Sequence, residues 1–301
     1  MAFTAKDVQA LREKTGCGMM DCKKALTECD GNMDAAVDYL REKGLASQAK
    51  KASRVAAEGT VCAIVKDGVG ALVEMNAETD FVAGGAEFKA LAEKITNIVI
   101  EQNPADMDAL LACSENGQTV EEMVQELFLA IRENIKVRRF ARFEGNLVSY
   151  VHGGGKIGVM VKFDTDAAND ALITMGKNVA MQIAAMNPAY LDPASVPAEV
   201  IEKEKEILIA QMKEDPKMAN KPDMVLGKIV EGKIGKYYKE NCLVEQQFVM
   251  DGDLTVGKYV ESVAKELGAA IKIDSFVRFE KGEGIEKRVD DFANEVASMI
   301  K

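Results

Sequence analysis

Residues 58–80 read EGTVCAIVKDGVGALVEMNAETD, and residues 144–166 read EGNLVSYVHGGGKIGVMVKFDTD. The two stretches align without a gap at an offset of 86, and Glu, Gly, Val, Gly, Val, Thr and Asp recur at seven equivalent places. Each contains a β-rich run, a glycine turn and a second β-rich run, which is the pattern of a β-hairpin. The chain therefore contains two copies of one structural unit.

The duplication extends beyond the hairpins. IKVRRFARFE (135–144) and IKIDSFVRFE (271–280) agree at six of ten positions, and each follows, at equal distance, a helical pattern that opens in Thr-Val. Each hairpin is also followed by a helix-compatible stretch that ends in Asn-Pro-Ala and an aspartate, Asp108 in the first copy and Asp192 in the second. Each copy is therefore predicted as strand–strand–helix–helix–strand.

The two copies differ where the hairpin ends. The Thr-Asp pair at 79–80 recurs at 165–166, whereas Phe81 of the first copy is replaced by Ala167. The shared pair is explained as a polar end to the strand, one of whose residues caps a helix. Phe81 either packs under the sheet or has a function peculiar to the first copy.

The second copy is interrupted by an insert between its helices, at about 190–250. Two amphipathic patterns within it predict an antiparallel helical hairpin. The first pattern places on one face Val200, Ile201, Leu208 and Met212, and the second runs through Met224, Val225, Ile229 and Ile234. The hairpin either packs on its own domain or pairs two chains through the apolar residues Ile201, Leu208, Val225 and Ile229.

Residues 4–43 read as three short helices ahead of the repeat. Thr4 and Asn32 are predicted to cap the first and third helices, while Gly16 and Gly44 are predicted to end them. So small a core is only marginally stable alone. The module is therefore interpreted as a docking device.

Two adjacent methionines, Met19 and Met20, lie in TGCGMMDCKK at 15–24. Neighbouring residues on a helix point about 100° apart, so both cannot face one small core. Either one is buried and the other lies at the edge, or both form an adaptable thioether patch for a partner. A metal site from the nearby cysteines Cys17, Cys22 and Cys29 is disfavoured, because paired C-x-x-C spacing and a nearby histidine are missing.

Composition limits the classes of function. The 301 residues allow about two domains. A net charge of −11 opposes direct binding of nucleic acid and suits a protein partner. No apolar run approaches the ~18 residues of a membrane span, and the start lacks the zones of a signal peptide. Six cysteines without a framework indicate reduced thiols, so the chain is predicted to be cytoplasmic. The basic clusters are interpreted as solvated side chains, and comprise Lys50, Lys51 and Arg54, then Arg138, Arg139 and Arg142.

Few residues suggest catalysis. GGGKIG at 153–158 satisfies G-x-G-x-x-G, but it lies between two β runs, whereas a dinucleotide fingerprint joins a strand to a helix. His152 is the single histidine, and the sequence has no G-x-S-x-G elbow, so His152 is interpreted as a polar turn residue or partner contact. These patterns favour a binding protein.

Two motifs carry a resemblance to a known family. LREKTGCGMMDCKKALTE (11–28) resembles the N-terminal signature of the bacterial elongation factor Ts family, whose members are exchange factors for the GTPase elongation factor Tu. EMNAETDFVA (74–83) resembles that family's second signature, and the order of core, insert and terminal segment is similar along essentially the whole chain.

The resemblance implies an α+β fold with an N-terminal three-helix ubiquitin-associated-like module, a duplicated two-part α/β core with antiparallel sheets, an inserted helical hairpin for dimerisation and a C-terminal helix. The implied boundaries are 1–54 for the front module and linker, 55–143 for the first core half, 144–189 with 250–281 for the second, 190–249 for the insert and 282–301 for the C-terminal module.

The resemblance also implies a function and its residues. Within elongation factor Tu, the magnesium and phosphate site would be disturbed by the turn of Thr79, Asp80, Phe81 and Val82, with Asp80 anchoring the turn by hydrogen bonds. Other partner contacts would come from Arg12, Met19, Met20 and His152. The chain would be no enzyme and would need no cofactor, because the magnesium ion belongs to the partner. The alternatives are a scaffold without exchange activity and a thiol-dependent enzyme.

Overall fold

The computed structural model describes residues 3–167, 170–215 and 221–286, and the predicted C-terminal helix falls largely outside them. The described residues form a mixed α/β fold with eleven α-helices and antiparallel sheets. The helices are α1 (Ala5–Thr15), α2 (Met19–Glu28), α3 (Met33–Lys51), α4 (Asp80–Gly84), α5 (Ala86–Gln102), α6 (Met107–Ala112), α7 (Val120–Ile131), α8 (Asp170–Met186), α9 (Ala198–Glu214), α10 (Asp223–Asn241) and α11 (Val256–Leu267). The strands are β1 (Glu58–Lys66), β2 (Val69–Ala77), β3 (Ser114–Glu115), β4 (Gln118–Thr119), β5 (Lys136–Glu144), β6 (Asn146–His152), β7 (Ile157–Asp164), β8 (Gln247–Phe248), β9 (Asp251–Thr255) and β10 (Lys272–Glu280).

The strand–strand–helix–helix–strand order is confirmed in both copies. The first copy forms the sheet β1-β2-β5 and the second forms β6-β7-β10, with the second strand of each hairpin at the centre. The helices α5 and α7 accompany the first sheet, and α8 and α11 accompany the second. The short helix α4 follows β2 in the first copy, and α6 follows α5 where the second copy has a short 3₁₀ turn at Pro193–Ser195.

The two hairpins differ in their turns. Asp67 and Gly68, both at positive φ, form a two-residue turn in the first copy, which suits a type I′ hairpin. The second hairpin turns over residues 153–156 and is therefore two residues longer. Its pairing is displaced by two residues relative to the sequence alignment, since Val61 pairs with Glu74 whereas Leu147 pairs with Lys162. An even shift keeps each side chain on its original face.

The two sheets pack against each other across a small apolar layer. Val61 and Leu72 of the first sheet meet Met160 and Phe279 of the second. The approach is close: a Cβ at Gly158 would lie 2.4 Å from Val61 Cγ1, so glycine is required there. The larger cores lie on the opposite faces of the sheets, beneath the helices.

The front helices have the predicted caps, but α3 is longer than expected. Asp7 accepts a hydrogen bond from the Thr4 amide (2.7 Å), and the Asn32 side chain accepts one from the Ala35 amide (3.1 Å). Gly16 adopts the left-handed conformation that ends α1. Gly44, however, does not stop α3, which continues to Lys51.

The reason for Gly44 is packing. A Cβ at this position would lie 2.0 Å from Leu129 Cδ2, so the missing side chain lets α3 approach α7 closely. A glycine inside a helix costs about 1 kcal/mol relative to alanine. Contact between the front helices and the first copy offsets that cost.

The aspartates of the recurring Asn-Pro-Ala motif have different structural roles in the two copies. Asn103 and Asn187 both adopt left-handed backbone where these helices end, as shared motifs should. Asp192 then caps a short 3₁₀ turn, but the corresponding cap in the first copy is Asp106, two residues before Asp108. The cap moved because α6 begins directly after Asp106.

The insert contains the two predicted helices, α9 and α10, which pack together. Of the first predicted face, Ile201, Leu208 and Met212 are buried and Val200 is partly buried. The second face was wrong in its first turn, because Met224 and Val225 are exposed. The packed stripe of α10 consists of buried Val230 and Ile234 with partly buried Leu226 and Ile229, so Ile229 and Ile234 were predicted correctly.

Candidate functional site

The Phe81 turn is the short helix α4 between β2 and α5. Thr79 caps it, since its Oγ1 accepts a hydrogen bond from the Val82 amide (3.3 Å). Val82 and Ala83 are buried in the core of the first copy, whereas Phe81 is 88% exposed. The expectation that Phe81 packs under the sheet was therefore wrong. Val82 packs into the core of the first copy beneath the turn, and its predicted contact with a partner stays a prediction.

Hydrogen bonds from outside the turn fix its start. The Glu133 carboxylate accepts from the Thr79 amide (3.1 Å) and from Thr79 Oγ1 (2.9 Å). One residue earlier, Glu78 accepts from the Asn134 amide (2.6 Å) and pairs with Arg54 (3.4 Å). Within the chain, these bonds are made by the neighbours of Asp80, and the anchoring role that the resemblance implies for Asp80 stays a prediction. Asp80 itself is exposed beside the ring.

The methionine pair is exposed as well. Met19 and Met20 are the first two residues of α2 and are 54% and 73% exposed. The alternative in which one of them is buried was wrong, because the core below is already filled by Cys22, Ala25 and Leu26. Thioether side chains on a surface suit adaptable contacts with a partner.

One stretch of chain connects the methionine pair with the Phe81 turn. The Arg132 guanidinium donates to Asp21 (2.9 Å), which follows the methionines on α2. The next residue, Glu133, holds Thr79. The chain segments that carry the two exposed apolar groups are therefore both bonded to consecutive residues directly after α7.

Arg12 and His152 are also exposed, but they lie on other elements. Arg12 is on α1, close to its end. His152 ends β6 in the second sheet, and its Nδ1 lies 2.9 Å from the Tyr150 hydroxyl. GGGKIG forms the adjoining hairpin turn, as predicted.

The basic cluster on β5 is not simply solvated, as it was expected to be. Glu74 of β2 is completely buried, and its carboxylate accepts from Arg138 (3.0 Å), from Arg139 (2.6 Å) and from the Gly282 amide (2.8 Å). Burial alone raises the pKa of this carboxyl, but the three donors outweigh it and hold the pKa below its usual value. The network joins the first sheet to the residues after β10.

Thiol chemistry finds little support. Burial raises the pKa of Cys22, Cys62, Cys113 and Cys242, the last to about 11. A nucleophilic cysteine needs a lowered pKa, because the thiolate is the reactive form. These four side chains therefore suit structural roles.

Across 3–167, 170–215 and 221–286, no three His, Cys, Asp or Glu side chains are grouped so as to hold a metal ion. In the same part of the chain, no helix is both long and apolar enough to cross a membrane.

Comparison with known proteins places these features in a family. Residues 78–283 match the family model described as Elongation factor TS. The chain is 50% identical to Elongation factor Ts of Syntrophotalea carbinolica over 307 aligned residues, covering 100% of both chains. It is 51% identical to Elongation factor Ts of Clostridium perfringens (strain SM101), covering 99% of both, and 47% identical to that of Clostridium botulinum (strain ATCC 19397), covering 99% of this chain and 98% of the relative. The chain therefore belongs to the elongation factor Ts family.

Proposed function

We propose that the chain is a guanine-nucleotide exchange factor for the GTPase elongation factor Tu, acting in translation elongation in the cytoplasm. It binds the GDP form and promotes GDP release so that GTP can bind. It makes and breaks no covalent bond, so it is not an enzyme in the usual sense. The observation that carries this proposal is Phe81, whose ring is 88% exposed on a turn that is itself held in place.

The mechanism depends on an exposed ring that is carried by a turn fixed in the fold. An exposed aromatic ring gains free energy when a partner covers it, at roughly 25 cal/mol per Å² of apolar surface. The hydrogen bonds of Thr79 and the burial of Val82 keep the turn from yielding. The ring, with Asp80 beside it, therefore enters the GTPase as a preformed wedge and displaces groups that hold magnesium and the phosphates.

This wedge couples two ligands of the GTPase. If the factor weakens GDP binding, GDP must weaken binding of the factor by the same free energy, typically roughly 1–3 kcal/mol. The magnesium ion in this scheme belongs to the GTPase, so the factor needs no cofactor of its own.

The front helices act as a ubiquitin-associated-like docking module in this proposal. Met19 and Met20 contact the nucleotide domain of the GTPase together with Arg12, while His152 of the second copy contacts its β-barrel domain. The exposure of all four side chains supports this assignment. The proposed functional units are the front module with its linker (1–54), the first core half (55–143), the second core half (144–189 with 250–281), the insert (190–249) and the C-terminal module (282–301).

Stopped-flow release of fluorescent GDP from elongation factor Tu tests the proposal. The wild-type chain should accelerate release, and Phe81→Ala should lower the rate at saturating factor by about tenfold or more while still binding the partner. Ala167→Phe, the reciprocal change in the second copy, is the matched control and should leave the rate unchanged. Binding without acceleration by the wild-type chain would instead indicate a scaffold.

A two-fold assembly through the insert is a separate proposal. Ile201 and Leu208, two of the four residues predicted to pair two chains, are buried between α9 and α10 and so are not free for a second chain. The exposed apolar side chains of the hairpin are Ile207, Ile209, Met224 and Val225. Light scattering should give a dimeric mass for the wild type and a monomeric mass after replacement of 197–240 by a short linker. A monomeric wild type would contradict the assembly.

A further inference from the structure

Arg132, Glu133 and Asn134, here called the junction segment, connect three separate parts of the molecule. Arg132 pairs with Asp21 of α2, and its carbonyl accepts a hydrogen bond from Lys51 at the end of α3. Glu133 binds Thr79 at the start of the Phe81 turn. The segment therefore contacts both the front helices and the first copy.

Asn134 completes these connections. It is buried, and its side-chain amide donates to the carbonyls of Ala52 (3.3 Å) and Arg54 (2.7 Å), in the linker between α3 and β1. Its backbone amide donates to Glu78, the residue before Thr79. Linker and turn are thus fixed to the same residue.

The second copy shows what this position looks like without these contacts. Helix α11 is capped by Gly268, and Ala269 and Ala270 follow it. These three residues occupy the places that Arg132, Glu133 and Asn134 have in the first copy. Arg132 and Gly268 have nearly equal left-handed backbone angles, with φ of 63° and 62°. That conformation favours glycine, so arginine is present against the backbone preference. Its side chain must supply something that glycine does not.

We propose that the junction segment is a positioning device, which fixes the Met19–Met20 pair and the Phe81 ring relative to each other so that both dock on one partner at once. The inference rests on the proposed function, since it concerns the same surface. Two contact groups held at the correct separation bind as one rigid unit, and loosening either one loses part of the benefit. The three side chains act through the turn and α2 and need not touch the partner.

Hydrogen exchange in the free chain tests positioning without any partner. Glu133→Ala removes the acceptor of Thr79, so amides of residues 79–84 should exchange faster than in the wild type. Glu133→Gln keeps a side chain able to bond Thr79 and should restore most of the protection. The matched control is Glu126→Ala, on the helix α7 that precedes the junction segment; the Glu126 carboxylate accepts a hydrogen bond from Gln118 (2.6 Å) and contacts no part of that segment.

Stimulated GDP release, measured over a range of factor concentrations, tests the consequence. Glu133→Ala should lower the saturating rate by on the order of tenfold, because the ring is no longer held in its productive place. Arg132→Asn removes the guanidinium but tolerates left-handed backbone, and it should chiefly raise the half-saturating concentration. Glu126→Ala should change neither parameter.

The outcomes separate the two proposals. Wild-type exchange protection and wild-type kinetics in both Glu133→Ala and Arg132→Asn would overturn the positioning role. A wild-type chain that accelerates no GDP release would overturn the proposed function instead, and the exchange measurement would still decide whether the segment holds the turn.

Discussion

The two copies of the repeat share a framework but differ at the positions that bear on function. Both carry a hairpin, two long helices and a final strand, and both end the second strand near a Thr-Asp pair. In the first copy that pair is followed by an exposed ring, Phe81, and in the second by Ala167. Shared residues thus build the fold, while residues that differ between equivalent positions point to function or to contacts outside the copy.

The helix before the final strand shows the same contrast. Leu129 of α7 is buried beneath α3, whereas its equivalent on α11 is the exposed Lys265. Only the first copy therefore receives the front helices among the residues described. The central strands differ too: by their pairing, buried Glu74 of β2 corresponds to Lys162 of β7, since Glu74 lies opposite Val61 and Lys162 lies opposite Leu147.

Removing the buried carboxylate of the first sheet should give the largest effect on stability. Glu74→Met keeps a side chain of similar length, but it takes from Arg138, Arg139 and the Gly282 amide the carboxylate that accepts their hydrogen bonds. We expect a loss of about 3 kcal/mol in unfolding free energy, at the lower end for a broken buried ion pair, because both arginines can reach water. Urea denaturation at pH 7 measures it. A neutral substitution would show that the buried carboxylate contributes nothing to the stability of the first sheet.

Gly44 tests the contact that only the first copy makes. Gly44→Ala places a Cβ against Leu129, and the resulting strain should cost about 1–3 kcal/mol despite the better helix propensity of alanine. The matched control is Gly227→Ala in α10, where an added Cβ would meet no atom within 4 Å. This substitution should stabilise the protein slightly, because alanine has the better helix propensity. Thermal denaturation of the two variants compares them. Equal melting temperatures would show that α3 can move away from α7 without loss.

The methionine pair sits beside the first copy alone, so its contribution to binding should be smaller but specific. Met20→Ala should weaken the complex with elongation factor Tu by about 1–2 kcal/mol, because the variant lacks a side chain that becomes buried on binding. Titration calorimetry with the nucleotide-free GTPase gives the value. The control is Met250→Ala in the second copy, where the methionine is 59% exposed against 73% for Met20. Unchanged affinity in both variants would show that Met20 is an ordinary surface residue.

Acid should remove the stability that the Glu74 carboxylate gives to the first copy. The pKa of Glu74 is lower in the folded chain than its usual value of 4.5, so its ionised form stabilises the fold above that pH. This contribution disappears as the pH falls below about 4.5 and through the folded-state pKa. Relative to Glu74→Gln, the wild type should therefore keep a constant advantage from pH 7 to about 5 and lose it in stronger acid. A constant advantage down to pH 3 would contradict the assignment.

Much of the fold could be predicted from the sequence because the structural unit occurs twice in the chain. Two hairpins, their glycine turns and the helix order followed from alignment of the copies, and each was found in place. The full length of α3 was not predicted. In the sequence, a glycine that ends a helix cannot be distinguished from a glycine that lets another helix pack closely, and only the structure shows that Gly44 faces Leu129. The face of α10 was misplaced because several nearby apolar residues fit more than one helical stripe.

The exposed residues of the candidate site could be singled out from the sequence, but the residues that support them could not. Phe81 and the methionines were proposed from motifs and from the missing ring in the second copy. Glu133 was overlooked because its partner Thr79 is 54 residues away, and no local pattern records so distant a contact. The same comparison of copies contained the signal, since Arg132, Glu133 and Asn134 stand where the second copy has Gly268, Ala269 and Ala270.

The central claim is that the exposed ring of the first copy couples binding of this chain to loss of GDP. The most direct measurement is the affinity of the chain for elongation factor Tu with and without GDP, for the wild type and for Phe81→Ala. The wild type should bind the nucleotide-free GTPase more tightly by at least roughly 1–3 kcal/mol, and Phe81→Ala should remove most of that preference while retaining affinity for the GDP form. An equal preference in the wild type and in Phe81→Ala would contradict the claim.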